Sequence, residues 1–333
     1  MSTGCLYPLT FEPILKQRVW GGRRLQELYG KKLTPNVSVG ESWEISDRPA
    51  DISVISNGAL AGKDLHWSVQ NFGPELMGRA SLANGRFPLL IKILDARETL
   101  SLQVHPPVEK ARQLRGEPKT EFWFIAEAAP GAELFVGLKA GCTREQFTAR
   151  IQDGTVADCF HRVPVRAGDA MFLPSGRVHA LGAGLVMFEI QQNSDTTYRV
   201  FDWNRKGLDG KSRELHIKES LECINFDDFE PALIRPELQN GTATARVASL
   251  VKNRLFSVES VTFQQDGRLP LLPGSMQIIG VVRGNLVVQY EHQELGLSDG
   301  QFCLIPASLP KVTLLARTSS ICLCVQADES GAG

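Results

Sequence analysis

Four side chains with metal-binding chemistry stand at positions that could bring them together. Gln103 and His105 are two residues apart in an apolar stretch, so a strand would place both on one face. Glu121 stands at the head of a second apolar run, and His179 follows a turn rich in proline and glycine. Two imidazoles, one carboxylate and one amide oxygen form a mixed nitrogen and oxygen ligand set. If these side chains converge, the chain binds a divalent metal ion.

The elements that must position these residues are strands with tight turns. The pattern Gly-x5-Pro-x-Gly-x2-His over 168–179 predicts a strand entered through a Gly-Asp turn and left through a Pro/Gly turn. Such a strand would deliver His179 to the interior of a β-barrel. Glu121 lies sixteen residues after His105, and the helical composition of 108–115 after two prolines predicts an inserted helical turn in that gap.

Most of the chain is predicted to be β-structure with short helical insertions. The helices are predicted at about 64–77, 108–115, 143–152 and 214–221. An internal repeat extends this prediction, because 300–306 repeats the Gly-x5-Pro spacing. A second barrel follows, in which Lys311 would stand at the position of His179 and Met276 roughly at that of Glu121. The second barrel is therefore predicted to bind no metal.

Several motifs together resemble a known family. The segment 168–179 matches the second sequence motif of cupins. Four motifs in chain order resemble those of type I mannose-6-phosphate isomerases in their short bacterial form. They are Leu-Ser-x-Gln-Val-His-Pro at 100–106, Lys-Thr-Glu at 119–121, the motif at 168–179, and Glu-Ile-Gln-Gln-Asn-Ser-Asp-Thr-Thr-Tyr-Arg-Val-Phe-Asp at 189–202. The resemblance covers most of 7–230. It implies a bicupin of two jelly-roll β-barrels, with a metal-binding domain at 1–235 and a metal-free cupin at 236–333.

The same resemblance implies an activity. One metal ion per chain is expected, zinc first although other divalent metals would suit the ligands, held by Gln103, His105, Glu121 and His179. The reaction would interconvert D-mannose 6-phosphate and D-fructose 6-phosphate through an enediol, with Lys119 and Arg199 as the active-site cations. Substrate-binding positions are assigned to Asp195, Glu189 and Trp20. The general base is left open between roles for Asp195 and Glu189, and the phosphate contacts are not located, with candidates at Lys92, Arg97, Arg177, Arg205 and Lys206.

Composition restricts the partners. The chain has 333 residues, 43% of them hydrophobic and 22% charged, with a net charge of −1, as in ordinary globular proteins. Adjacent basic residues such as Arg23-Arg24 and Lys31-Lys32 form only short pairs flanked by neutral sequence, which argues against binding to nucleic acid. The sequence contains neither a signal peptide nor an apolar run long enough for a membrane span, and its seven scattered cysteines fit reduced thiols, so we expect a cytoplasmic protein. A small sugar phosphate is the expected partner, and the chain is expected to be a monomer or homodimer.

Two other functions fit the same motifs. A metal-dependent cupin enzyme acting on another substrate, such as an oxygenase, would use a similar site, although redox cupins favour three histidines and one glutamate. A non-catalytic sugar-binding or regulatory cupin could also retain the metal site, because a fold does not fix a function. Lys119 and Arg199 argue against metal storage alone.

Overall fold

The computed structural model describes residues 6–239 and 241–327, and most of its regular structure is β. The first thirteen strands are β1 Ile14–Gly22, β2 Val39–Ile45, β3 Asp47–Arg48, β4 Asp51–Ile52, β5 Leu89–Ala96, β6 Leu102–Val104, β7 Glu121–Ala128, β8 Glu133–Leu138, β9 Phe160–Pro164, β10 Ala170–Leu173, β11 His179–Leu181, β12 Leu185–Gln192 and β13 Tyr198–Phe201. The remaining strands are β14 Glu237–Leu238, β15 Ala245–Lys252, β16 Phe256–Phe263, β17 Gly267–Pro270, β18 Gln277–Arg283, β19 Leu286–Tyr290, β20 Gln293–Leu297, β21 Phe302–Ile305, β22 Val312–Ala316 and β23 Ser320–Ala327.

Five short helices interrupt the strands. They are α1 Arg24–Tyr29, α2 Leu65–Met77, α3 Val108–Ala111, α4 Arg144–Asp153 and α5 Ile217–Cys223, with 3-10 turns at Gly58–Leu60 and Val156–Cys159. The predicted helices at 64–77 and 143–152 are confirmed as α2 and α4. The predicted helix at 108–115 is shorter, and the one at 214–221 begins three residues later because His216 has a non-helical backbone and caps α5.

The chain divides into two compact units. The middle unit contains Leu15–Ser42 and Lys92–Ile234, and the terminal unit contains the described residues up to Ile14, Trp43–Ile91 and the described residues from Arg235 onward. The division falls within strands β2 and β5. The domain assignment 1–235 and 236–333 stays a prediction.

Two open sheets enclose the core of the middle unit. One has the order β1-β2-β5-β12-β7-β10 and the other the order β13-β6-β11-β8-β9. Side chains from both sheets, including Trp123, Leu134 and Met187, form one buried apolar cluster. Trp123 and Ile125 of β7 both belong to this cluster, because alternate residues of a strand point to the same face.

The other face of the five-stranded sheet packs against helices. Leu102 and Val104 point to this face, where they join Phe147 of α4 and Cys223 of α5 in a second buried cluster. Helix α4 begins at a capping box in which Thr143 and Gln146 satisfy each other's backbone amides. Because Leu102 and Val104 face the helices, Gln103 between them faces the sandwich interior, as the sequence predicts.

Strand β10 is bounded by the predicted turns. Gly168 before it has φ +93° and Gly176 after it has φ +87°, which is backbone that glycine adopts without strain. The amide of Gly176 donates to the carbonyl of His105 at 2.9 Å. The two metal-binding segments predicted from the sequence are thus joined by a backbone hydrogen bond.

The terminal unit repeats the two-sheet arrangement. Its sheets have the orders β14-β15-β16-β23-β18-β21 and β17-β22-β19-β20. The buried cluster between them is apolar and includes Phe263, Ile279, Leu314 and the cysteines Cys303, Cys322 and Cys324. Cys322 and Cys324 therefore pack in the core of this unit. The predicted mostly-β fold with two jelly rolls is confirmed as well, with each barrel formed as a pair of open sheets.

Among the described residues, the structure contains no helix with the length and apolar character needed to cross a membrane.

Candidate metal centre and active-site cavity

Three metal-capable side chains converge in the interior of the middle unit. His105 follows β6, Glu121 begins β7 and His179 begins β11. All three are at most 2% exposed, and their candidate ligand atoms lie within 4.8 Å of one another. The strand register explains the convergence, because His179 pairs directly with Gln103 while Gly176 binds the backbone of His105. This cluster could hold a metal ion.

Each imidazole is oriented by a backbone carbonyl. Nδ1 of His105 donates to the carbonyl of Thr196 at 2.8 Å, and Nδ1 of His179 donates to that of Arg177 at 3.0 Å. The two Nε2 atoms therefore carry the lone pairs, and they lie 3.2 and 3.6 Å from the carboxylate of Glu121. A hydrogen bond from one ring nitrogen to a carbonyl is the usual way in which a metal-binding histidine is oriented.

The protonation states suit a cation. Burial lowers the pKa of His105 to about 3, with Lys119 adding to the effect, and burial also lowers the pKa of His179, so both rings are neutral at pH 7. Burial alone would raise the pKa of Glu121. The charge of Lys119 is the largest opposing influence, and the pKa of this carboxyl is lowered well below its usual range. The cluster thus presents two neutral nitrogen donors and one carboxylate.

The carboxylate of Glu121 tests whether these residues fit a metal ion. Both of its oxygens are buried and neither accepts a hydrogen bond of good geometry among the described residues, although Lys119 Nζ lies 2.5 Å from Oε1. Buried polar atoms are nearly always satisfied, and Oε2 has no hydrogen bond to a described residue, which indicates a missing partner. A divalent cation between Glu121, His105 and His179 would supply it, and the residues therefore fit a metal.

Gln103 lies beside this cluster on the same sheet face. Its amide nitrogen is 3.2 Å from Nε2 of His179, and its amide oxygen accepts from Ser101 Oγ at 3.3 Å. The oxygen and nitrogen of an amide exchange places when the group rotates by half a turn. Gln103 therefore lies next to the cluster of His105, Glu121 and His179, and this rotation would place its oxygen near Nε2 of His179.

A cavity of about 670 Å³ lies next to the cluster of His105, Glu121 and His179. Gln103 and Lys119 line it on that side. Its lining is rich in charged and aromatic side chains, which include Arg18, Trp20, Glu41, Lys92, Trp123, Glu189, Asp195, Arg199, Arg213 and His216. This volume can enclose a small ligand such as a sugar phosphate. Trp20, Glu189, Asp195 and Arg199, which the sequence predicts at the site, all line the cavity together with Gln103 and Lys119.

A buried polar chain links the cavity to His179. Glu189 accepts from Lys92 Nζ and from Trp123 Nε1, both at 3.0 Å, and the ring of Trp123 meets His179 edge to face with centroids 5.3 Å apart. Burial and the charge of Glu121 raise the pKa of Glu189, with Lys92 and Lys119 opposing them. Burial lowers the pKa of Lys92, but Glu189 and three further carboxylates outweigh it and raise the pKa overall.

Arg199 and Asp195 differ in how they are held. Arg199 pairs with Gln103 across β13 and β6, its Nε is buried without a hydrogen bond, and its Nη1 lies 3.4 Å from the carbonyl of Glu214. Asp195 is exposed. Arg199 therefore lies beside Gln103 in the sheet, whereas Asp195 is an exposed residue of the cavity lining.

The structure also reveals cavity residues that the sequence patterns do not single out. Arg18 with Glu41 comes from β1 and β2, and Arg213 with His216 comes from the segment before α5. Of the phosphate candidates from the sequence, only Lys92 lines the cavity. Arg177 is bound to Asp228, Arg205 is bound to Asp202, and Arg97 and Lys206 lie outside the lining. The spacing of residues within a motif carries no signal for such residues, because their convergence depends on distant strands and loops.

Comparisons with known proteins agree with this geometry. Residues 9–122 match the family model for the catalytic domain of type I phosphomannose isomerase. A probable mannose-6-phosphate isomerase of Bacillus subtilis is 35% identical over 320 residues, which cover 92% of this chain and 96% of that protein. A second mannose-6-phosphate isomerase of Bacillus subtilis is 43% identical over 219 residues, 65% of this chain and 68% of its own. The crystal structure of a mannose 6-phosphate isomerase from Bacillus subtilis superposes with a TM-score of 0.88 at 29% identity, covering 96% of this chain and 99% of that one.

Proposed function

We infer that this chain, which belongs to the type I mannose-6-phosphate isomerase family, is an aldose–ketose isomerase that interconverts D-mannose 6-phosphate and D-fructose 6-phosphate. The observation that carries the inference is the buried cluster of His105, Glu121 and His179, whose neighbours Gln103 and Lys119 line a polar cavity of about 670 Å³. A chain with this relationship and this site has both the reactive end and the space that the reaction needs.

Gln103, His105, Glu121 and His179 are the proposed ligands of one divalent metal ion, and zinc is the proposed ion. The neutral Nε2 atoms and the ionised Glu121 are ligands that zinc accepts, and other divalent first-row metals accept them as well. A bound divalent cation would supply a Lewis acid for the oxygens of the sugar.

The residues of the chain supply the remaining chemistry. Isomerisation moves a proton between C2 and C1 and redistributes the hydroxyl protons, with no net oxidation of the sugar. Lys119, buried 2.5 Å from Glu121, and Arg199, opposite Gln103, are the proposed cations that stabilise negative charge on the substrate oxygens as an enediolate forms. Arg199 lies in β13 and Lys119 is buried beside Glu121, so little reorganisation is needed when the charge develops.

Glu189, Asp195 and Trp20 are the proposed substrate-binding residues. Glu189 is the better placed of the two acids to hold or move a proton, because it is buried, its pKa is raised, and it is fixed by Lys92 and Trp123. Asp195 is exposed and is proposed to contact the part of the sugar that lies nearer to solvent. Trp20 is buried in the cavity wall and offers an apolar face.

The test is isomerase activity together with metal content. The native protein should form fructose 6-phosphate from mannose 6-phosphate, lose this activity after chelation, and regain it with zinc. Lys119→Met should lower kcat by about 10²- to 10³-fold while keeping one metal ion per chain, since it removes only the charge next to the ligands. The exposed Lys206→Met is the matched control and should keep full activity. No turnover in any metal-loaded form of the native protein would overturn the proposed function.

The domain assignment, the location and the oligomeric state are further proposals. A metal-free cupin at 236–333 is supported by the apolar interior of the terminal unit. A cytoplasmic location is supported by six free thiols among the described cysteines, and a monomer or homodimer is proposed as the oligomeric state. Fractionation of the source cells and light scattering of the purified chain test the last two.

A further inference from the structure

The five lysines and arginines that line the cavity are not equivalent. Three of them are ion-paired to carboxylates of the cavity or the metal cluster, namely Arg18 to Glu41 at 2.7 Å, Lys92 to Glu189 at 3.0 Å and Lys119 to Glu121 at 2.5 Å. Arg199 and Arg213 remain. Since the substrate of the proposed reaction carries a phosphate, the residue that binds this dianion is to be sought between these two.

Arg213 is held rigidly by one edge only. Its Nε and Nη2 donate to the two oxygens of Asp202, at 2.7 and 2.5 Å. Its Nη1 makes no hydrogen bond to any residue that the structure describes, and the residue lines the cavity. A guanidinium with one edge fixed by a carboxylate and another edge open suits an anion, because the orienting carboxylate removes much of the entropy cost of binding.

Asp202 binds a second arginine, which provides an internal comparison. Arg205 donates to the same carboxylate at 2.8 Å, but its Nη1 donates to the carbonyl of Thr99 at 2.7 Å and it does not line the cavity. Asp202 thus fixes two guanidiniums that face different surroundings. Only that of Arg213 is directed at the cavity with donors to spare.

The local electrostatics favour an incoming anion. Burial lowers the pKa of Arg199, and the charge of Arg213 lowers it further, so the two guanidiniums repel each other. The acidic residues of the cavity that have no basic partner within 3.5 Å, Asp195, Asp209 and Glu214, are exposed, and the side chain of Glu214 is 83% exposed. Water hydrates these carboxylates, so they compensate the two guanidiniums weakly.

We propose that Arg213, oriented by Asp202, binds the phosphate group of the sugar phosphate. The assignment rests on the proposed function for the identity of the ligand. Arg199 pairs with Gln103 at the metal end, whereas Arg213 lies on the segment between β13 and α5. A hexose phosphate would lie between them, with its reacting carbons toward Gln103 and its phosphate toward Arg213.

The experiment compares Arg213→Gln with Arg205→Gln in the metal-loaded protein. Arg213→Gln should raise KM for mannose 6-phosphate by about 10- to 100-fold, the effect of losing a charged hydrogen bond, and should weaken competitive inhibition by inorganic phosphate equally. Arg213→Lys should be intermediate, because an ammonium cannot bind Asp202 and phosphate with the same fork. The kcat at saturating substrate should change little. Thermal melting of each variant checks that it is folded.

Arg205→Gln distinguishes a role of Arg213 in phosphate binding from a purely structural role. This variant removes the other guanidinium on Asp202, so it should keep KM and the inhibition constant of phosphate within about threefold of the native values. Equal losses in the two variants would make Arg213 structural and overturn the assignment. Calorimetric titration with inorganic phosphate requires no turnover. If native protein binds phosphate through Arg213 but does not isomerise the sugar, the anion site stands and the proposed function fails.

Discussion

The interiors of the two jelly rolls differ in a few side chains on equivalent strands. In the middle unit, β10 pairs with β7 so that Leu173 lies opposite Glu121. In the terminal unit, β21 pairs with β18 so that Ile305 lies opposite Gln277. The repeated register makes Gln277 the counterpart of Glu121, so the predicted counterpart Met276 is wrong by one residue. The same scaffold therefore carries a carboxylate in one copy and an amide in the other.

The strand of the terminal unit that corresponds to β11 is apolar on its core face. Strand β22 points Val312 and Leu314 into the core, in the strand that corresponds to β11 with its His179. Lys311 precedes this strand and is exposed, so the predicted counterpart of His179 is outside the core. Gln277 satisfies its amide by donating to the carbonyl of Leu272 at 2.7 Å. The comparison teaches that the jelly roll supplies a dry, rigid frame and that a handful of side chains decides whether it does chemistry.

The largest expected effect is the loss of zinc binding when a proposed ligand of the middle unit is removed. His179→Ala removes an Nε2 donor and should abolish stoichiometric zinc binding, with turnover lower by about 10³-fold or more because the Lewis acid is lost. The matched variant is Gln277→Ala, at the counterpart of Glu121 in the terminal unit. It should keep one zinc per chain. Elemental analysis and kcat measured on the same samples check both, and a stoichiometric zinc content in His179→Ala would contradict the ligand assignment.

A smaller effect sharpens the role of the terminal unit as a stabilising core. Leu314→Ala empties a fully buried position and should lower the free energy of unfolding by about 2–5 kcal/mol. Thr313→Ala, on the half-buried face of the same strand, should cost less than about 1 kcal/mol. Urea denaturation measures both. The zinc content of folded Leu314→Ala should equal that of the native protein, and a loss of zinc would show that this core also supports the metal site.

The smallest effect compares ion pairs in the two units. Asp202→Asn in the middle unit removes a buried acceptor of two arginines and should lower stability by about 1–3 kcal/mol. Glu294→Gln in the terminal unit removes an exposed partner of Arg317 and should lower it by at most about 1 kcal/mol. Urea denaturation at neutral pH gives the two values, and equal values would contradict the contrast.

Measuring the stability of native protein and Asp202→Asn as the pH falls shows how the contribution of Asp202 depends on pH. Burial raises the pKa of Asp202, but the two arginines outweigh it and lower the pKa below its ordinary value. A carboxyl with a lowered pKa contributes stability that is fully present above its ordinary pKa, near 4, and is lost as the pH falls through the lower folded value. The stability difference between native protein and Asp202→Asn should therefore be constant from pH 7 to about pH 5 and shrink below about pH 4. A difference that grows on acidification would show that Asp202 does not act as a paired carboxylate.

Much of the fold and the metal cluster could be predicted from local patterns. Alternation in 102–105 predicts which residues face the interior. Gly168, Pro174 and Gly176 predict the turns around β10, because the backbone preferences of glycine and proline are local. The residue at which a strand begins is harder to predict from the sequence, and the predicted counterpart of Glu121 is therefore placed at Met276, one residue before Gln277. The start of α5 was predicted too early for a similar reason, because His216 forms a backbone hydrogen bond with Arg199 in β13 instead of extending the helix.

The sequence by itself determined the mostly-β fold, the repeat and the types of ligand at Gln103, His105, Glu121 and His179, because strand periodicity and turn chemistry depend on near neighbours. The tertiary structure alone decided which cations share the cavity, how the two imidazoles are oriented by the carbonyls of Thr196 and Arg177, and that Asp202 aims Arg213 while it holds Arg205 elsewhere. These contacts join residues from separate strands and loops. Their geometry follows from the packing of the whole unit, so no local pattern could specify it.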